Sequence, residues 1–458
     1  VILSHRRLLC VLAWLLALVV VGCVARAAWT RYDLPERRDG TRGHTTIDFG
    51  GSWLMGRMLV EGKGQRLYER EAAREVLSES YPVADQAPGG WRGRSDVTNL
   101  LGWLMRGGVR DGRAIAGPLY PPVNAVVNAP LALLRPRWAY RVHQGVDLGL
   151  LVLAALGVVV LPVASAGRTN PASLTLPLVV ILLALFPGFQ AGLTLGQNSV
   201  MSLVIVVWGW VLMSRGQDDW GGAAWGLLAY KPVWAASFLL VLVLSRRWRA
   251  ALAMAAVGVA QILLTLPLVG LHSWLDWLRI GRSASARYAL DHHWILLSRD
   301  LAGIPRRFLL DFTLPILRRG NPTAGLVALA LWLGVLAVTV GVTLRRREEV
   351  RAADGPHAAF LLLGGYLLCY HFMYYDALLA ALPVALLFTG PGPLRDRRVP
   401  LLALGALLAF ENPLRALLGV GDSGQPWSTY VLLALWAWCG WRTMAGTSPG
   451  ARGSSPGP

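Results

Sequence analysis

The chain has 458 residues, 55% of them hydrophobic and only 15% charged, with a mean hydropathy of +0.47. Several apolar runs approach the roughly twenty residues needed to cross a bilayer, which excludes a soluble domain. The net charge of +18 does not mark a nucleic-acid binder, because arginines gather in short loops beside the apolar runs, as the positive-inside rule asks of cytoplasmic loops.

In chain order, His5-Arg6-Arg7 and the apolar run 8–25 form either a signal peptide ending at Ala25-Arg26-Ala27 or a retained first span. The near-full span length and the fit of the remaining topology favour retention. Further spans are predicted at 120–134, 140–162, 173–187, 199–214, 222–244, 249–269, 323–344, 357–372, 375–389, 399–418 and 427–444. With the N-terminus inside, Arg135–Arg137, Arg246–Arg249, Arg345–Arg351 and Arg395–Arg398 all fall in the cytoplasm. Three of these spans, 120–134, 173–187 and 199–214, are short for a crossing, so one is a candidate re-entrant segment.

The expected fold is therefore an all-α polytopic membrane protein of about twelve spans, one membrane unit over 1–444, with a disordered Gly-, Ser- and Pro-rich tail at 445–458. Two outer loops are too long to be connectors. The first, 26–119, carries the amphipathic stretches Trp53–Val60 and Val97–Met105, suited to lying on a membrane surface. The second, 271–321, carries Trp274, Trp277, His292, His293 and Trp294. Trp53, Trp103 and Trp274 read as interface anchors before sugar platforms. Cys10, Cys23, Cys369 and Cys439 stand singly in apolar segments and read as packing residues.

Chemistry must come from few groups. There is no His-Glu-x-x-His, Walker loop, Cys-x-x-Cys, Gly-x-Ser-x-Gly or Asp-x-Asp, so a metal- or ATP-driven mechanism is not expected and no cofactor is called for. What remains are polar residues near span ends: Asp48, Glu61, Asp96, Gln197-Asn198, Lys231, His292-His293, His371 and Asp376. Lys231 stands out as one of only two lysines, inside the apolar run 222–244 and followed by Pro232. An ammonium at membrane depth costs roughly 2.5–3.5 kcal/mol, so it is expected to face a cavity, a counterion or an anionic ligand. The adjacent proline marks a break in the helix. Asp48, before a run of small residues, reads either as a helix cap or as a general base.

Five segments in order carry a resemblance. Asp48-Phe49 with Trp53 and Glu61–Tyr68, Tyr120-Pro121-Pro122 with Pro130–Leu134, Gly196-Gln197-Asn198, Lys231-Pro232, and Arg246-Arg247-Trp248-Arg249 are similar to the motifs of glycosyltransferase family 87, polyprenol-phosphate-mannose-dependent mannosyltransferase-like membrane proteins. His371–Asp376 is similar to a later histidine-aspartate stretch, with different spacing. Where the family often has Asn-Gln, this chain has His292-His293.

The resemblance implies a GT-C architecture in the plasma membrane with its active site on the extracytoplasmic side. Asp48 takes the position of the catalytic base, and Lys231 and His371 that of the donor-phosphate site. Gln197, Asn198, His292, His293 and Asp376 are candidate substrate-binding residues. The implied donor is a polyprenyl-phosphate sugar, with mannose or a related hexose moved to a hydroxyl on a glycan, glycolipid or protein, with inversion and without a metal. A transporter or flippase for a lipid-linked or anionic solute would also want a lysine at a broken helix. It would show an internal repeat and short outer loops, and neither is evident.

Overall fold

The computed structural model describes residues 5–31, 48–80, 109–110, 113–115, 118–161, 172–346, 354–389, 397–410 and 425–445. Asp96, the 97–105 stretch with Trp103, the tail from 446 and the side chain of Asp48 lie outside the described residues. The described chain is helical apart from a two-residue antiparallel ribbon pairing Val109-Arg110 with Arg113-Ala114. Four helices are long and apolar enough to cross a membrane, and a fifth candidate is the pair Thr175–Leu185 and Phe189–Leu195, bent by 66°. Leu15, Leu18, Leu264 and Leu326 on these helices are each more than half exposed. Apolar surface of this kind needs lipid rather than water around it, so the protein is a helical polytopic membrane protein.

The helices are α1 (His5–Arg31), α2 (Asp48–Val60), α3 (Arg70–Ser80), α4 (Val123–Ala132), α5 (Pro136–Val160), α6 (Ala172–Leu185), α7 (Phe189–Leu195), α8 (Ser199–Ser214), α9 (Asp218–Gly226), α10 (Pro232–Leu244) and α11 (Trp248–Tyr288). Then follow α12 (His292–Leu297), α13 (Gly303–Leu309), α14 (Pro322–Arg345), α15 (Gly355–Leu368), a 3-10 turn at Tyr374–Ala380, α16 (Ala381–Leu386), α17 (Arg398–Phe410) and α18 (Trp427–Ala445).

Side-chain ties give the bundle two ends. At one end Arg247 donates to Asp218 Oδ1 at 2.6 Å and to the Met213 carbonyl at 3.1 Å, Arg249 pairs with Asp219, and Arg346 donates to the Met444 carbonyl at 2.9 Å. The arginine runs at 246–249 and 345–346 thus share an end, as their charge requires. The opposite end holds Asn198, Lys231, Asp376 and Thr429, whose hydroxyl donates to the Arg299 carbonyl at 2.8 Å.

Three predicted spans differ from what the chain does. The run 222–244 is no single crossing: α9 leaves the arginine end at Asp218, breaks over Leu227–Lys231, and α10 returns to Arg247, which is bonded back to Asp218. The result is a helical hairpin with Lys231 near its tip. Pro232 occupies the first position of α10, where its missing N–H costs nothing, and disfavours the helical conformation at Lys231, which has φ −125° and ψ 80°. Gly222 and Gly226 let α9 lie directly on α11, since a Cβ at Gly222 would stand 2.1 Å from the Ala250 carbonyl oxygen.

The run 120–134 also fails to cross. The Tyr120 hydroxyl donates to Gln197 Oε1 at 2.9 Å and the Tyr140 hydroxyl donates to the Thr194 carbonyl at 2.6 Å, so the ten-residue α4 starts and ends in one layer. It packs on α2, with Asn124 donating to Ser52 Oγ at 3.1 Å. Next, α5 runs beside α8 in the same direction, with Gln144 donating to the Leu193 carbonyl and Trp208 to the Leu153 carbonyl. Arg135–Arg137 therefore lies at the cavity end, away from the other arginine runs.

Finally, the span predicted to stop at 269 continues as α11 to Tyr288, kinked at Gly270 (φ 70°, ψ 158°), so the first third of the second outer loop is helix. The first outer loop does not rest on lipid through Trp53. That residue is buried in a separate core of Phe49, Met55, Met58, Tyr68, Val269 and Ile280, and its Nε1 donates to the Leu134 carbonyl at 3.1 Å. Trp274 packs edge-to-face on Trp277 at 5.8 Å.

Candidate active site

A cavity of about 480 Å³ opens at the end opposite the arginine runs 246–249 and 345–346, between the hairpin tip, the outer half of α11 and the segment Tyr370–Asp376. Its walls are mostly apolar and aromatic, including Pro121, Val233, Trp234, Trp277 and Leu278. Lys231 Nζ projects into it and donates to Asp376 Oδ1 at 2.8 Å, with both residues nearly buried at 8% and 5% exposure. The Tyr375 ring lies 5.3 Å from the ammonium. Burial of either charge alone would be costly, and the pair answers that cost with mutual attraction and a hydrogen bond.

The cavity wall is held from behind by the polar motifs. Tyr120 lines the cavity and is bonded to Gln197, and its own carbonyl accepts from Tyr68 at 2.5 Å. Tyr230 lines it too, bonded to Ser202 Oγ at 2.5 Å and to the Asn198 carbonyl at 3.1 Å. The Asn198 side chain makes no cap bond to α8. Gln197 and Asn198 are thus supports of the wall and not part of it. Gly196 turns the chain there with φ +63°, and a Cβ on it would come within 2.6 Å of Phe49. The Tyr-Pro-Pro, Gly-Gln-Asn and Lys-Pro elements, dispersed in sequence, meet at one cavity.

The family model for glycosyltransferase family 87 matches residues 119–373, more than half of the chain. The chain belongs to glycosyltransferase family 87. No curated protein and no solved structure matches it. The matched stretch runs from the cavity wall at Leu119 to Met373, and leaves Asp48 before it and Asp376 after it. Membership makes the protein a membrane glycosyltransferase.

Within this glycosyltransferase the remaining candidates divide. His371 lines the cavity, stacks on Tyr288 at 5.8 Å, and faces Asp300 Oδ2 at 4.0 Å. His292 and His293 do not line it: His292 stacks on Phe312 at 4.2 Å, and His293 is held by its backbone N–H on Asp291 Oδ1 at 3.0 Å. Their neighbour Trp294 does line it. Asp48 opens α2, and the adjacent Phe49 packs on Tyr140 and His143, each with ring centroids 5.4 Å away, beside the Gly196 turn. Among the described residues no group of three or more His, Cys, Asp or Glu converges as a metal shell would.

Sequence reasoning missed Asp300, His143 and Asp147. Asp300 is buried with Oδ1 accepting from the Gly303 N–H at 2.7 Å. Asp147 lies in the core of α5, 3.6 Å from His143 Nε2, and neither of its oxygens has a hydrogen-bond partner among the described residues. The spacing His143-x-x-x-Asp147 on a predicted span was the available signal for the latter pair, since i and i+4 share a helix face. Nothing local distinguished Asp300.

Proposed function

We propose that this glycosyltransferase takes a hexose, mannose by family resemblance, from a polyprenyl-phosphate donor and passes it to a hydroxyl acceptor at the cavity end, on the extracytoplasmic face of the plasma membrane. The observation that carries the reading is the buried Lys231 ammonium inside a cavity with apolar walls, a combination that fits a phosphate on a lipid chain. We read the fold as GT-C, with twelve membrane-embedded helical segments once both legs of the Lys231 hairpin are counted.

In this mechanism the donor phosphate competes with Asp376 for Lys231. As the glycosidic bond breaks, negative charge gathers on the departing phosphate, and Lys231 with His371 stabilises it in a site largely free of water. Asp48 accepts the proton of the acceptor hydroxyl while that oxygen attacks the anomeric carbon from the face opposite the phosphate, which inverts the configuration. Tyr120, held by Gln197, and Tyr230, held by Asn198 and Ser202, keep the wall rigid around the lysine.

Purified protein in lipid nanodiscs, given radiolabelled polyprenyl-phosphate mannose and glycolipid or glycan acceptors, should yield labelled product. Asp48→Asn should abolish that product while retaining donor binding. Transfer that survives Asp48→Asn sinks the proposed base, and efficient use of a nucleotide sugar instead sinks the proposed donor. The broken hairpin also suits a transporter, and movement of the labelled lipid across the bilayer without transfer would favour that reading.

A further inference from the structure

His371 also lines a second pocket, of about 120 Å³, together with Ser298, Asp300 and Arg306, and the two spaces share Ser285, Tyr288, Trp294, Tyr370 and His371 as a common wall. Their chemistry differs. The large space is lined mainly by apolar and aromatic side chains, with Arg282 and the Lys231–Asp376 pair among them, whereas in the small one a carboxylate, a guanidinium, an imidazole and two serine hydroxyls make up about half of the lining, beside Tyr288, Trp294 and Tyr370. We propose that the small pocket is a hexosyl subsite: it binds one sugar ring, while the large cavity binds the lipid and its phosphate.

Several features of the pocket fit a sugar in particular. Asp300 is fixed before any ligand arrives, because Oδ1 accepts from the Gly303 N–H at 2.7 Å and its own N–H donates to Ser298 Oγ at 3.3 Å. Its Oδ2 faces His371 Nδ1 at 4.0 Å, too far for a hydrogen bond, and has no hydrogen bond among the described residues. A sugar hydroxyl entering there can donate to Oδ2. Tyr288, Trp294 and His371, packed on one another with the Tyr288 centroid 4.2 Å from that of Trp294 and 5.8 Å from that of His371, form with Tyr370 an aromatic wall against which the C–H groups of a sugar can pack. A few fixed polar groups among aromatic walls are what a specificity pocket needs. His371 lines both spaces, so a ring bound against it in the small pocket stands beside the cavity where the phosphate is placed.

This inference rests on the lipid-phosphate reading of the large cavity, and the test separates the two. Equilibrium binding to purified protein in nanodiscs is measured with two lipids, bare polyprenyl monophosphate and polyprenyl-phosphate mannose. Ala289 lines the small pocket and not the large one, so Ala289→Phe fills only the former, and Arg306→Gln and Asp300→Asn remove charge from it with little change of shape. Variants are compared at matched melting temperature, so that if Ala289→Phe folds poorly the other two carry the test.

Wild type should bind the mannosyl lipid at least 10-fold tighter than the bare phosphate. The variants should bind bare phosphate as wild type does and lose that 10-fold advantage, which assigns the pocket to the donor sugar. Unchanged mannosyl-lipid binding with an acceptor KM raised at least 10-fold assigns it to the acceptor sugar. No change in either quantity overturns the subsite. Lys231→Ala is the separate control: unchanged affinity for bare phosphate in that variant overturns the phosphate reading, whatever the pocket variants do.

Discussion

Asp376→Asn removes the carboxylate that neutralises Lys231 and keeps its shape. The pair is 2.8 Å long and nearly buried. At an effective dielectric of about 20 its Coulomb attraction is about 6 kcal/mol, and deleting one partner of a buried pair typically costs about 3–5 kcal/mol because the other charge stays stranded. The ligand-free Asp376→Asn protein should therefore melt well below wild type. Its response to a phosphate lipid should be the opposite: with its competitor gone, the lysine has the lipid phosphate as its best counterion. Bare polyprenyl monophosphate should raise the melting temperature of Asp376→Asn by more than it raises that of wild type. The double variant Lys231→Met/Asp376→Leu, which strands no charge, should be milder than Asp376→Asn without lipid and should show no lipid response. Thermal unfolding in detergent with and without the lipid reads all three. An Asp376→Asn protein that melts as wild type does, or that gains less from the lipid, would refute the reasoning.

Other outcomes follow from the wall and the loops. Tyr120→Phe leaves the buried Gln197 carbonyl oxygen without its donor and should cost about 1–3 kcal/mol in melting experiments, with a loss of transfer activity. Gly196→Ala should be severe, since it combines a left-handed backbone with a Cβ 2.6 Å from Phe49, whereas Gly62→Ala, with φ +76° and open space around it, should cost only the backbone strain of about 1–2 kcal/mol. Comparing their melting temperatures isolates the contact. Joint replacement of His292 and His293 by alanine should leave donor KM unchanged, because neither ring reaches the cavity, and a substantial rise measured by initial rates would return them to the site.

Much of this was legible in the chain. Lys231 announced itself through the cost of its charge, and Pro232 fixed the break beside it. The partner was not legible: Asp376 lies 145 residues away and was one of several acids at predicted span ends. The hairpin was hidden because 222–244 has the length and composition of a crossing, and what turns it back is contact between helices, namely Gly222 against Ala250 and Arg247 against Asp218. Hydropathy counts apolar residues and cannot see which end a loop returns to. Similarly, α4 looked like a short span because a helix buried against another helix is as apolar as one in lipid. Counting 120–134 as a crossing also puts Gln197 at the cytoplasmic start of the 199–214 span, whereas its carbonyl oxygen accepts from Tyr120 at the cavity wall. Trp53 read as an interface residue, but its indole found the Leu134 carbonyl and a core of its own.

The central claim is that Lys231 binds the phosphate of a lipid-linked sugar donor. The most direct measurement is the initial rate of hexose transfer from polyprenyl-phosphate mannose, over a range of donor concentrations, by purified wild type and Lys231→Ala at fixed acceptor. Loss of one preorganised charge at a departing group costs about 100-fold or more in rate, so the account predicts a fall of that order in kcat/KM for the donor with acceptor KM unchanged. Equal kcat/KM for the two proteins would contradict it.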